Sequence, residues 1–401
     1  RSMNKITKRF LSAVTAAAMS VSMLAGLSVQ AADSAHAEFV SEFQNPSNEY
    51  RPKVRWWWPG GDVTSEELIR ELNLLHKAGF GGAEMQPFDY SLDDEALKNP
   101  DSPIKDFMTD SFLGKVSDLL SEARKLDMIM DINMGSGYCA GASFVPLEDN
   151  EHTLMSADIT VHADQKNAAI PQLSAHNYPY ELLTPNKASY IKPGWHTMNY
   201  MPENAELLTL YAAKVVSGER NPDYKVLNDT VTLDLSTVEL VTDYDKDAGT
   251  FSWTCPDTTA SWQIIAIYGM PVGSNPIGSV EVGAPGETAY MVDVLNYAAT
   301  QRYYQNWFAQ LQPILKYTQD GTLRAAFNDS YEFFAQRYYT DGLLDTFQKV
   351  NGYQIEKYMP TLLMPAKDQV ANFFIGNRAP EFSFADEAND GINDRINYDY
   401  N

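Results

Sequence analysis

Between Lys53 and Asn133 the apolar positions change period four times, from every second residue to every third or fourth and back. Lys53 to Trp58 is a β-branched and aromatic run ending at Pro59-Gly60-Gly61, which predicts a strand leaving into a loop. Thr64 with Glu67 three residues on reads as a capping box, and Leu68, Leu72, Leu75 and Ala78 keep one apolar stripe until Gly79. Gly82 to Phe88 predicts a second strand. Phe112, Val116, Leu119, Leu120 and Ala123 give a second helix running to Leu126, and Met128 to Met134 a third strand ending in Gly135-Ser136-Gly137. This order implies βαβ units and a parallel sheet.

From about residue 156 to 286 the texture changes to short alternating runs, Ala157 to Val161, Val231 to Leu235 and Trp262 to Tyr268, which predict a β-rich insertion. Helical periodicity returns through Tyr290, Val294, Tyr297, Ala298 and Tyr304 toward Leu315. Thr322 to Asn328 then predicts a fourth strand, and Gly342 to Val350 a fourth helix. With no Rossmann glycine fingerprint, the expected class is α/β, a (β/α)8 TIM-type barrel, rather than a doubly wound sheet. A closed barrel takes roughly 250 residues and only about half of its units are visible, so the barrel is expected to be incomplete in this chain and inactive alone. The expected division is a signal peptide over 1–37, a first part of the barrel over 38–155, the insertion over 156–286 and the continuation of the barrel over 287–401.

The leader is read from Lys5, Lys8 and Arg9 before the apolar run Phe10 to Val29, with Ala35-His36-Ala37 as the cleavage pattern, and implies a secreted, extracellular protein. Composition narrows the partner. Against 30 basic residues stand 53 acidic ones, a formal charge of -23, which repels nucleic acid and anionic membrane surfaces and suits a neutral partner such as a sugar. Cys139 and Cys255 are too few for a disulfide framework, their spacing does not say whether they pair, and no C-x-x-C or histidine cluster suggests zinc.

Candidate chemistry gathers at the carboxyl ends of the expected strands, where barrel enzymes place it. Glu332 follows the fourth strand among Phe327, Tyr331, Phe333 and Phe334, a setting that desolvates a carboxyl and suits a general acid. The alternative is a loop glutamate paired with Arg337. Asp329 is a second candidate, as a metal ligand or an acceptor for a sugar hydroxyl. Trp56-Trp57-Trp58 offers aromatic faces for a sugar ring, although strand alternation sends at least one into the core. Glu84, Gln86, Asp131 and Asn133 alternate so as to point inward, as binding groups or as satisfied polar residues of the barrel interior. The glycines of Gly135-Ser136-Gly137-Tyr138 serve a tight turn or a close backbone approach to a ligand. His76, His152 and His196 assemble no serine or cysteine triad.

At these residues the sequence resembles glycoside hydrolase family 106, inverting α-L-rhamnosidases of plant polysaccharide degradation with an interrupted (β/α)8 barrel. The resemblance runs from Arg55-Trp56-Trp57-Trp58 through Lys77-Ala78-Gly79-Phe80-Gly81-Gly82-Ala83-Glu84, then Asp131 to Gly137. It resumes at Asn328-Asp329-Ser330-Tyr331-Glu332, Phe347, Gly352-Tyr353 and Tyr358-Met359-Pro360. It implies Glu332 as general acid, a base from a later strand with no counterpart before Asn401, and a bound calcium ion whose ligands spacing does not identify. Trp57, Trp58, Glu84, Asp131, Asn133 and Asp329 are the expected substrate-binding residues. Two departures, Tyr331 for the usual tryptophan and Cys139-Ala140-Gly141-Ala142 for a glycine- and proline-rich stretch, point to a divergent branch. The other class that fits the residues is a non-catalytic carbohydrate-binding surface protein on a degenerate barrel.

Overall fold

The computed structural model describes residues 36–89, 92, 94–173, 201–220, 230–283, 286–329, 331, 335, 337–363, 380–385 and 391–401. The expected leader lies outside them except for positions 36 and 37. Strand β1 (Lys53–Pro59) leads into helix α1 (Ser65–Lys77), whose Thr64 cap accepts from the Glu67 amide at 3.3 Å as the capping-box pattern requires. Strand β2 (Gly82–Phe88), helix α2 (Asp110–Lys125) and strand β3 (Ile129–Asn133) follow. Thr109 caps α2 by accepting from the Phe112 amide.

The insertion contributes β4 (His152–Val161), β5 (Gln165–Ala169), β6 (Glu206–Ser217), β7 (Val231–Leu233), β8 (Glu239–Leu240), β9 (Tyr244–Asp245), β10 (Thr250–Trp253) and β11 (Trp262–Pro271). The chain then returns through α3 (Tyr297–Gln310) to β12 (Leu323–Phe327). Helical periodicity predicts a start at Tyr290, seven residues early. Asn296 sets the start instead, accepting from the amides of Ala298 and Ala299, while Tyr290–Met291 pairs with Gly141–Ala142.

Strands β1, β2, β3 and β12 form a parallel sheet in that order, and β1 and β12 each pair on one side only among the described residues. Its helix-facing side carries Trp58, Met85, Met130 and Ile132, covered by Leu72 of α1, Phe112 and Leu119 of α2 and Trp307 of α3. Gly82 is required where β2 meets β3, because a Cβ there would lie 1.9 Å from the carbonyl oxygen of Ile129. The fold is therefore mixed α/β, with a curled sheet of four parallel strands among the described residues.

In the second sheet, of order β13–β4–β11–β6–β7–β14 with β8 on β6, β13 is Tyr338–Tyr339 and β14 is Phe382–Phe384. All ten residues of β11 are buried. Trp262, Ile264 and Ala266 pack with Phe251 and Trp253, whereas Ile265 and Ile267 pack with Phe347, Met359, Phe382 and Ile396. A strand covered on both faces reads as an unbroken apolar run. Residues 297–327 lead through α3 into the parallel sheet. Further on, β13 and β14 join the mainly antiparallel second sheet, β14 pairing in parallel with β7, and α4 (Leu343–Asn351) and α5 (Ile392–Tyr400) cover it. The apolar face of α4, led by Phe347, finds its cover on Ile265 and Ile267. Cys139 and Cys255 lie in separate apolar clusters and are not joined. No described helix is long and apolar enough to cross a membrane.

Candidate active site

Parallel register pairs Arg55 with Glu84 and Glu84 with Asp131, and, two residues on, Trp57 with Gln86. Because side chains alternate, these residues and Asn133 share the sheet face opposite the helices. Asp329 joins them from the loop two residues beyond β12. Arg55 ties the strands together: its Nη1 lies 2.7 Å from Asp329 Oδ2, its Nε 3.3 Å from Glu84 Oε1, and its guanidinium stands over the Phe327 ring at 5.2 Å. Arg324 on β12 holds Asp131 with both Nε, at 3.1 Å, and Nη2. Sequence reasoning did not single out either arginine. The available signal was the parity of Arg55 with Trp57, one strand repeat apart.

Glu84 is largely buried, and burial holds its carboxyl above the usual range. Arg55 opposes that rise, while Asp329 and Asp131 add to it. Trp57 is 47 % exposed, with its indole N–H donating to Gln86 Oε1 at 3.0 Å and its ring 5.2 Å from Phe88, which in turn lies 5.8 Å from Tyr138. Gln86 is fully buried, and its Nε2 has no hydrogen-bond partner among the described residues.

Two other candidates stand apart from this cluster. Trp58 is 2 % exposed and packs edge-on against Trp56 and Phe112 in the core, since it has the opposite parity from Trp57. Its ring lies on the helix-facing side of the sheet, away from Arg55 and Trp57. Asn133 lies on the right face but spends its amide on the carbonyls of Gly135 and Gly137, each at 3.0 Å, so it shapes the turn. That turn is approached by the chain itself: a Cβ on Gly137 would fall 2.7 Å from the Ile277 carbonyl, which accepts from the Tyr138 amide. Glu332 lies outside the described residues. Arg337, its alternative partner, donates to the Leu362 carbonyl and to Asn397 Oδ1.

For the calcium ion that the resemblance implies, the described residues do not fit. Glu84, Asp131 and Asp329 are each engaged by an arginine rather than converging on one point, and no group of three or more His, Cys, Asp or Glu among the described residues is placed to hold a metal. What the face offers is carboxylates held in fixed charge pairs beside an exposed aromatic ring, an arrangement suited to hydroxyl-rich rings with apolar C–H faces.

Over 335 residues the chain is 23 % identical to a protein of Formosa agariphila provisionally named a beta-glucuronidase, covering 81 % of this chain and 26 % of that protein. The solved rhamnosidase from Novosphingobium sp. PP1Y aligns with a TM-score of 0.49 at 15 % identity, over 80 % of this chain and 42 % of that one. The chain thus spans about a quarter of the first relative and less than half of the second. The family model described as alpha-L-rhamnosidase matches residues 44–201 and 209–370, which take in β1 to β3, most of the insertion, β12 and α4. On that match the chain belongs to glycoside hydrolase family 106, the α-L-rhamnosidase family.

Proposed function

We propose that the protein is an exported, exo-acting glycoside hydrolase that removes terminal α-L-rhamnosyl, or similar deoxysugar, residues from polysaccharide by single-displacement inversion. The observation that carries this is the meeting of Arg55 and Glu84 from two strands with Asp329 from the loop after β12, beside the half-exposed Trp57. The four parallel strands are read as half of a (β/α)8 barrel, whose chemistry sits at their carboxyl ends. Glu332, three residues beyond Asp329 in the chain, is the general acid that protonates the glycosidic oxygen. A second carboxylate, roughly 6.5 to 9.5 Å away on the opposite face of the sugar, activates the water. Export is read from the basic and apolar leader ahead of residue 38.

The charge pairing speaks for a neutral sugar over a uronic acid, the substrate class suggested by the name of the Formosa protein. Recognition of a sugar carboxylate calls for an uncommitted cation, and the two arginines described on this face are already held by carboxylates. The 6-methyl group of a deoxysugar finds apolar cover on the half-exposed ring of Trp57.

The test is a panel of nitrophenyl glycosides, α-L-rhamnoside, α-L-fucoside, β-D-galactoside and β-D-glucuronide, given to the full-length protein and to Glu332→Gln, with a rhamnose-bearing polysaccharide alongside. Rhamnoside turnover that collapses by about two orders of magnitude or more on the polysaccharide in the variant supports both substrate and acid. Glucuronide turnover overturns the neutral-sugar argument, and silence across the panel favours the non-catalytic binding protein.

A further inference from the structure

We infer that Gln86 is a positioning residue: it fixes the indole of Trp57 as a stacking platform for a pyranose ring. The identity of that ring rests on the function proposed above. Gln86 is fully buried on the sheet face that carries Arg55, Glu84 and Asp131, with Met85 and Ala83 buried on the opposite face of the same strand. Its side-chain oxygen accepts the Trp57 indole N–H at 3.0 Å, while its amide nitrogen has no partner among the described residues. A buried amide with half of its hydrogen-bonding capacity unused costs stability, and an apolar residue of the same length would fill the space without that cost. Stability therefore does not explain a glutamine here. Its bond to Trp57 does.

Trp57 is the exposed member of an aromatic row, Trp57–Phe88–Tyr138, that starts beside the Arg55 charge pairs. A ring with 47 % of its surface in solvent has room to change rotamer. Anchoring the indole nitrogen from the neighbouring strand holds the ring at a fixed tilt on the site face. The binding energy is then not spent on ordering the platform, which lowers KM without acting on the bond that breaks.

Two substitutions probe the same hydrogen bond from its two ends. Gln86→Met keeps length and volume but removes the acceptor, and Trp57→Phe keeps an aromatic ring but removes the N–H. With full-length protein and 4-nitrophenyl α-L-rhamnopyranoside, each variant is expected to raise KM about tenfold, the worth of one hydrogen bond, while kcat stays within about twofold. The double variant should be no worse than Trp57→Phe alone, because the hydrogen bond that Gln86→Met removes is already absent there. Acrylamide quenching of tryptophan fluorescence should increase in Gln86→Met and should not change when the same substitution is made on a Trp57→Phe background. Additive KM effects, a fall confined to kcat, or unmoved quenching would overturn the inference. If wild-type protein fails to turn over the rhamnoside while quenching still shifts, the substrate reading and the sugar half of this inference fall together, and the anchored indole stands.

Discussion

Replacing Arg55 by methionine tests whether the site face depends on its charge pairs. The guanidinium lies 2.7 Å from Asp329, whose side chain is 8 % exposed, and 3.3 Å from Glu84, at 17 %. Two unit charges about 4 Å apart attract by about 4 kcal/mol at an effective dielectric of roughly 20. More than a third of Arg55 is in solvent, so halving for screening leaves about 2 kcal/mol. Stranding Asp329 as a buried, uncompensated carboxylate adds to this, giving an expected loss of about 2–3 kcal/mol at neutral pH. The pH dependence follows from Glu84. Its carboxyl is raised by burial, so the folded chain binds the proton more tightly than the unfolded one, and stability declines as pH climbs from the ordinary 4.5 through the folded value. Without Arg55 that folded value moves higher and the decline extends further up. The penalty of Arg55→Met should thus be smaller at about pH 4.5 and grow toward neutrality, read from urea unfolding followed by circular dichroism at both pH values. A penalty equal at both, or under about 0.5 kcal/mol at neutral pH, would refute the reasoning.

Two further outcomes are expected. Phe347→Ala should cost about 3–5 kcal/mol, because Phe347 is buried against the antiparallel sheet and meets Tyr353 edge-on at 5.1 Å; thermal unfolding reads the loss, and early tryptic release of the segment after residue 338 reads its cause. Glu381 is raised by burial despite Arg220 at 3.3 Å, so wild-type stability should fall as pH rises above about 4.5; Glu381→Gln should flatten that slope in unfolding measurements, and parallel curves would contradict the assignment.

The βαβ order of residues 53–133 was legible because each element announces itself locally. A buried strand, a stripe at helical spacing and a glycine or capping residue at each end need no knowledge of the partner. Residues 338–400 were not legible in the same way. The run from Gly342 to Val350 shows an amphipathic helix, but amphipathicity states that one face is covered without stating by what. Both sheets offer an apolar surface, and only the register of β13 on β4 and of β14 on β7 delivers this segment to Ile265 and Ile267.

The site divides along the same line. Period-two alternation requires that Trp56, Trp57 and Trp58 not all face one way, yet it leaves open which one turns toward the site. The answer is set by Val54, Trp56 and Trp58, which share one parity and pack on the helix-facing core, so that Arg55 and Trp57 are left on the other face. A slip of one residue in β1 would bury Arg55 under the helices and put two tryptophans on the site face. It would also separate Arg55 from Glu84 and Asp329, and the Trp57 indole from Gln86. The apolar residues that fix the register of β1 therefore fix its chemistry as well, and a substitution of Trp56 or Trp58 acts on the site without touching a substrate.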